Sequence, residues 1–162
     1  MPKMLIAYYS RTGNTKALAE AIAEGAREVD GLDVTIKPIQ EVQARELLGY
    51  QAIILGSPVY YGTMAWEVKK LLDESVAFHG KLSGRVGGAF ATSANIAGGN
   101  ETTILAILNA LLIHGMIVRG CASGDHYGPV AIEAGDARSR DQGELFGRLW
   151  GELTEKLFGG PA

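Results

Sequence analysis

The residues with the most chemical capacity in this 162-residue chain gather in three short stretches, each following an apolar run. The first is Ser10-Arg11-Thr12-Gly13-Asn14-Thr15, ahead of a segment with helical spacing. It offers hydroxyls at 10, 12 and 15, an amide side chain at 14, and backbone N–H groups at a helix amino terminus. Such a terminus binds phosphate without any cation, because unspent N–H donors and the helix dipole supply partial positive charge. Gly13 lets the backbone approach closely. Ordinary capping explains one Ser, Thr or Asn, and four of these six positions carry one. The loop is neither G-x-x-x-x-G-K-[ST] nor G-x-G-x-x-G, the two common phosphate-binding rivals at such a position.

The second stretch is Gly56-Ser57-Pro58-Val59-Tyr60-Tyr61-Gly62-Thr63-Met64. Two adjacent aromatics between Pro and Gly suit a flat ring system, through stacking and backbone hydrogen bonds. Packing of one tyrosine beneath the loop is the other reading. The third stretch is Thr92-Ser93-Ala94-Asn95-Ile96-Ala97-Gly98-Gly99-Asn100. Its small residues permit close approach of a planar ligand, and its amides can address a polar edge. A flexible surface turn would also explain the glycines.

Positioning these stretches requires five apolar runs alternating with helical segments. Met4–Tyr9 and Ala52–Leu55 are continuous and so read as strands buried on both faces. Val34–Ile39 alternates and contains Pro38, which marks a sheet edge. Val86–Phe90 carries glycines that admit a closely packed helix, and Met116–Val118 is the fifth run. The helices are expected over Leu18 to Val29 (ended by Gly31), Trp66 to Glu74, and the segment carrying Ile104, Ile107, Leu108, Leu111 and Leu112. Leu145, Leu149, Leu153 and Leu157 supply the expected apolar stripe of the last helix. Trp66 and Trp150 read as packing residues within their helices. Alternating βα units predict an α/β fold with a five-stranded parallel sheet of order 2-1-3-4-5 and helices on both faces. Ligands then bind beyond the carboxyl ends of the strands, where all three stretches fall.

Composition narrows the classes. A hydrophobic fraction of 47% with 20% charged residues is that of a globular protein, expected to form one domain over residues 1–162. No apolar run approaches the ~18 residues needed to span a bilayer, and the amino terminus has no signal-type cleavage region. A lone cysteine, Cys121, excludes an intrachain disulfide and reads as a small buried hydrophobe in a cytoplasmic protein. A net charge of −3 with interspersed signs argues against nucleic acid as partner, and no Cys/His cluster has metal-ligand spacing. His79 and His126 read as surface loop residues.

Taken together, the three stretches, with His114-Gly115-Met116, Tyr127-Gly128-Pro129 and Ala134-Gly135-Asp136, resemble the multimeric flavodoxins. This is the tryptophan-repressor-binding-protein family of NAD(P)H:quinone oxidoreductases. The resemblance implies a flavodoxin-like three-layer sandwich holding FMN, its phosphate on Ser10 to Thr15. The flavin ring would lie between Pro58-Val59-Tyr60-Tyr61-Gly62 and Thr92-Ser93-Ala94-Asn95-Ile96-Ala97-Gly98. His114 would lie near flavin or substrate, though a histidine before glycine is also a normal helix C-terminal cap. Thr12, Phe78 and Tyr127 are the implied substrate contacts. Thr12 stands where the family often has an aromatic, and Tyr60 where it often has arginine. The stretches Gln40 to Leu48 and Ser75 to Leu82 look shortened.

The implied activity is ping-pong transfer of two electrons from NADH or NADPH to a quinone, with the flavin rather than a side chain doing the chemistry. The alternatives are a flavodoxin-type electron carrier and a scaffold that has lost its cofactor. Modest net charge weighs against the first, and the intact first loop against the second. A homodimer or homotetramer is expected, because Ala122 to Arg138 is long for a βα connection and the family forms tetramers.

Overall fold

The computed structural model describes residues 1–160. The strands are β1 (Lys3–Tyr8), β2 (Asp33–Pro38), β3 (Ala52–Tyr60), β4 (Thr63–Met64), β5 (Val86–Ser93), β6 (Ile117–Val118) and β7 (Val130–Ile132). The α-helices are α1 (Asn14–Arg27), α2 (Trp66–Glu74), α3 (Asn100–Ile113) and α4 (Ala137–Phe158). Strand order is β2-β1-β3-β5-β6, with β7 also on β5. All these pairs are parallel, and only the short β4 runs antiparallel, on the end of β3. This is the expected α/β order, with β2 at the edge and half-buried throughout.

Strand alternation divides one sheet between two cores. Leu5, Ala7, Ile53 and Leu55 point toward α2 and α3, meeting Val68, Leu71, Ile104 and Ile107. Met4, Ile6, Ile54 and Phe90 point toward α1 and α4, meeting Leu18, Ile22, Phe146 and Trp150. Both faces are covered, so the central strands have no polar side, which accounts for their continuous apolar runs.

The last helix turns a different face inward than its leucines suggest. Gly143, Phe146, Gly147, Trp150, Gly151 and Thr154 are buried, whereas Leu149 and Leu153 only flank the core and Leu157 is exposed. The reason is backbone approach to α1. A Cβ on Gly147 would collide with the carbonyl oxygen of Ile22, and one on Gly25 with that of Glu144. Trp150 then reaches over β5, its indole N–H donating to Gly87 O at 2.9 Å, with Gly88 leaving room for the ring. Trp66, by contrast, is 66% exposed and packs no core. Helix α1 stops at Arg27, and Gly31 serves the turn that follows.

The fifth strand position is split. β6 pairs with Val86 and Gly87, the chain departs over residues 119–129, and β7 returns to pair with Ala91, Thr92 and Ser93. Asp125 ties the excursion down: its carboxylate accepts from the Val130 N–H at 2.9 Å and from Arg138 at 2.8 Å. The long connection expected from Ala122 to Arg138 therefore contains a strand. What joins β7 to α4 is the ordinary short loop 133–136.

Candidate functional site

Three strand ends meet at one edge of the sheet. Tyr8 of β1 stands beside Gly56 of β3, and Pro58 beside Thr92 of β5. The loops leaving them enclose a cleft of ≈ 510 Å³ lined by Arg11, Thr12, Asn14, Thr15, Pro58, Val59, Tyr60, Thr92, Ser93 and Ala94, with Glu133 and Ala134.

In the first loop, the helix N-cap is Gly13, left-handed at φ 97°, and no side chain caps α1. Capping is therefore not what these hydroxyls do. The first helical bond runs from Ala17 N–H to Gly13 O at 3.0 Å, which leaves the amides of Asn14, Thr15 and Lys16 without a helical acceptor. Ser10 Oγ accepts the Gly13 N–H at 3.1 Å and shapes the turn. Thr15 is buried, its Oγ1 2.8 Å from Thr92 Oγ1, so a bond from β5 orients the first loop. Arg11 and Glu133 are the charged residues of the lining, one of each sign. The residues fit a phosphate monoester, because unspent amide donors and hydroxyls converge where a dianion needs no bulk cation.

The second loop is a hairpin. Val59 pairs with Met64 and Tyr60 with Thr63, leaving Tyr61 and Gly62 at the tip with φ of 50° and 78°. Positive φ at both central residues is the type I′ turn that matches strand twist. Tyrosine is a costly choice there, and the turn holds its ring fully in solvent. At the base, Ser57 Oγ accepts the Ala65 N–H at 2.8 Å. Tyr60 packs edge-on against Tyr9, centroids 6.3 Å apart. The third loop is fastened, not loose: Asn100 Nδ2 donates to Ser93 Oγ, which donates to Asn95 O, both at 2.8 Å. Thr102 Oγ1 donates to Gly62 O at 2.7 Å and ties α3 to the hairpin. Asn95, Ile96, Ala97 and Gly98 lie on this loop beyond the cleft wall, with Ile96 exposed.

A match over more than half of the chain decides the relationship: the flavodoxin domain model matches residues 5–103. The chain belongs to the flavodoxin family. It is 36% identical to a protein named flavodoxin from Aquifex aeolicus over 162 positions, covering 96% of this chain and 86% of that one. It is 34% identical to an NAD(P)H dehydrogenase (quinone) of Bradyrhizobium sp. over 200 positions, covering 98% of this chain and 100% of that one. Among solved structures, the WrbA-like flavodoxin of Agrobacterium tumefaciens superposes with a TM-score of 0.82 at 25% identity, over 97% of this chain and 99% of that one.

Within this flavodoxin chain, Phe78, His114 and Tyr127 stand outside the cleft. Phe78 packs against the core below α2, and His114 follows the end of α3, beside the amino ends of the strands. Both helices start at the cleft and run away from it, so their ends lie at the opposite edge of the sheet. Tyr127 is half-exposed on the 119–129 excursion, outside the cleft lining. Glu133, which the sequence gives no reason to place here, and Ala134 line the cleft from the loop that follows β7, where the Glu133 N–H donates to Ser93 O at 2.8 Å. Among the described residues no cluster of His, Cys, Asp and Glu could hold a metal ion, and no helix is long and apolar enough to cross a membrane.

His114 has a structural role in the chain. It is 7% exposed, and its Nε2 lies 2.7 Å from Ser75 Oγ. Ser75 donates its own proton to Leu72 O at 2.7 Å, so Nε2 carries the hydrogen and Nδ1 is a bare, buried acceptor. Burial, aided by nearby His79, pushes the imidazole pKa down. A base with a lowered folded pKa adds stability in full above its unfolded value, about 6.5, and loses it as pH falls through the folded value. Thermal melts should therefore show wild type losing stability from pH 7 to pH 5 more steeply than His114→Gln. Parallel pH profiles would refute this.

Proposed function

We propose that the protein binds FMN in this cleft and transfers two electrons from NADH or NADPH to a quinone in the cytoplasm. The observation that carries cofactor binding is the set of uncapped, unspent amides at Asn14 to Lys16 above the buried Thr15–Thr92 pair. These groups hold the phosphate. Pro58, Val59 and Tyr60 form one wall for the flavin ring, and Thr92, Ser93 and Ala94 the other. When bound, FMN supplies the redox exchange between nicotinamide and quinone. The protein's part is to fix the ring between two braced loops and keep its outer edge open. Tyr61 and Ile96, exposed on the two facing loops, and Thr12 on the cleft lining are placed to meet the nicotinamide and quinone. Similarity to an NAD(P)H dehydrogenase (quinone) along nearly the whole chain, with a net charge of only −3, supports an enzyme.

The second reading is an electron carrier. It is favoured by length: the flavodoxin of Aquifex aligns over 162 positions, whereas the quinone dehydrogenase needs 200. Initial rates with NAD(P)H and benzoquinone varied together separate the two. An enzyme gives parallel double-reciprocal lines. Flavin that neither nicotinamide reduces, and only a partner reductase does, makes the protein a carrier.

We also take the working form to be a homodimer or homotetramer. Val76 and Ile113, 70% and 72% exposed, sit together at the amino edge of the sheet with Leu112 adjacent. An apolar group of this kind suits a subunit contact. Light scattering on the FMN-loaded protein should give a multiple of 17.2 kDa. A micromolar monomer with full quinone reductase activity would rule the assembly out.

A further inference from the structure

Among the described residues, three other than glycine hold a positive φ: Tyr61 at 50°, Ala97 at 55° and Glu133 at 51°. All three lie at the edge of the sheet where the cleft opens, on the hairpin, on the third loop and directly after β7. A left-handed backbone is unfavourable for a residue with a Cβ, and glycine escapes the conflict, as Gly135 does two positions on. Glutamate at 133 is thus a disfavoured choice for the fold alone. Strained positions of this kind gather where a ligand is held.

The Glu133 side chain is exposed, and its carboxylate pairs with no cation among the described residues. The donors close to it in sequence serve other acceptors: Arg138 donates to Asp125 and to Val130 O, and the Ser139 N–H to Asp136. Its main chain, by contrast, is fixed. The Glu133 N–H donates to Ser93 O at 2.8 Å, on the wall assigned to the flavin ring. The next residue, Ala134, lines both this cleft and an adjoining groove along α1, and so does Asn14 of the first loop. Position 133 therefore stands between the ring wall and the phosphate loop. What joins ring to phosphate in FMN is the ribityl chain, whose hydroxyls are proton donors. A bare carboxylate so near a phosphate dianion is repulsive, and hydroxyl protons directed at it offset the repulsion.

We infer that the Glu133 carboxylate accepts hydrogen bonds from the ribityl hydroxyls of FMN and so fixes the chain between ring and phosphate. This rests on the FMN binding proposed above. It gives the one acidic residue of the cleft lining a task that neither the first loop nor the two ring walls perform.

Flavin fluorescence titrations of the full-length apoprotein test it, with wild type, Glu133→Gln and Glu133→Ala first shown by circular dichroism to be folded. Each is titrated with FMN and with an analogue in which a plain pentyl chain joins the same ring and phosphate. Glu133→Ala should weaken FMN about ten-fold or more, and Glu133→Gln by less, since its amide oxygen still accepts. Neither substitution should weaken the analogue, which has no hydroxyl to lose. A Glu133→Ala variant that binds FMN as tightly as wild type, or more tightly, overturns the inference. Equal weakening of FMN and analogue also overturns it, because the carboxylate would then act on ring or phosphate. Wild type that binds no FMN removes the cofactor reading itself, and the inference with it.

Discussion

Apoprotein titrated with FMN and with riboflavin will bind the phosphorylated flavin about 100-fold more tightly, a gap of about 2.7 kcal/mol. A hydrogen bond to a charged group contributes about 1.5–3 kcal/mol, so two net bonds from the first loop suffice. More than two donors are in place: the amides of Asn14, Thr15 and Lys16 lack helical acceptors, and the Thr12 and Thr15 hydroxyls line the cleft. Thr92 can donate to Thr15 Oγ1, freeing the Thr15 proton for the phosphate. Thr15→Ala should then weaken FMN roughly ten-fold or more while riboflavin affinity stays as it was. That comparison matters because losing Thr15 also unpairs the Thr92 hydroxyl, and weakening of both flavins alike would trace the loss to the cleft wall and not to the phosphate. Thr15→Ser should retain FMN binding. Equal affinity of the two flavins for wild type would remove the phosphate loop from the account.

The first cleft loop is legible in the sequence because its signal is local: polar cap-type residues crowd between a strand and a helix. The sheet order follows equally, since continuous apolar runs at β1, β3 and β5 demand cover on both faces. What escapes is whatever depends on distance or on side chains that are not there. Helix α3 carries the chain 14 residues from the cleft, about 21 Å at helical rise, which is why His114 cannot reach the cleft loops of its own chain. Strand β7 spans three residues, too few for any periodicity to show, and so the split fifth strand reads as one long loop. The hairpin tip defies local preference, since nothing about Tyr61 announces a positive φ. In α4 the leucines present a regular stripe that hydrophobic counting prefers, while the face that packs is marked by glycines, which such counting ignores.

That glycine face makes the second large prediction. Gly147→Ala should destabilise the protein by about 1–3 kcal/mol, although alanine is the better helix former. Helix propensity alone favours the substitution by about 0.8–1 kcal/mol in a helix interior. Against this, the added methyl falls on the Ile22 carbonyl oxygen, with Ala26 N at 2.8 Å, and backbone atoms cannot rotate aside as a side chain tip can. The two helices must separate, disturbing Trp150 and Phe146, which stack at 3.8 Å against the sheet. Overpacking of this kind costs about 1–3 kcal/mol even where side chains can adjust, and here the obstacle is main chain. The steric loss therefore exceeds the propensity gain, and the melting temperature should fall by several degrees, at roughly 2–4 °C per kcal/mol for a chain of this size. Gly49→Ala is the matching control: no atom lies within 4 Å of its added Cβ, so its melting point should hold. A Gly147→Ala variant as stable as wild type would mean that α1 and α4 are held apart by more than their backbones, and that the buried face assigned to α4 is wrong.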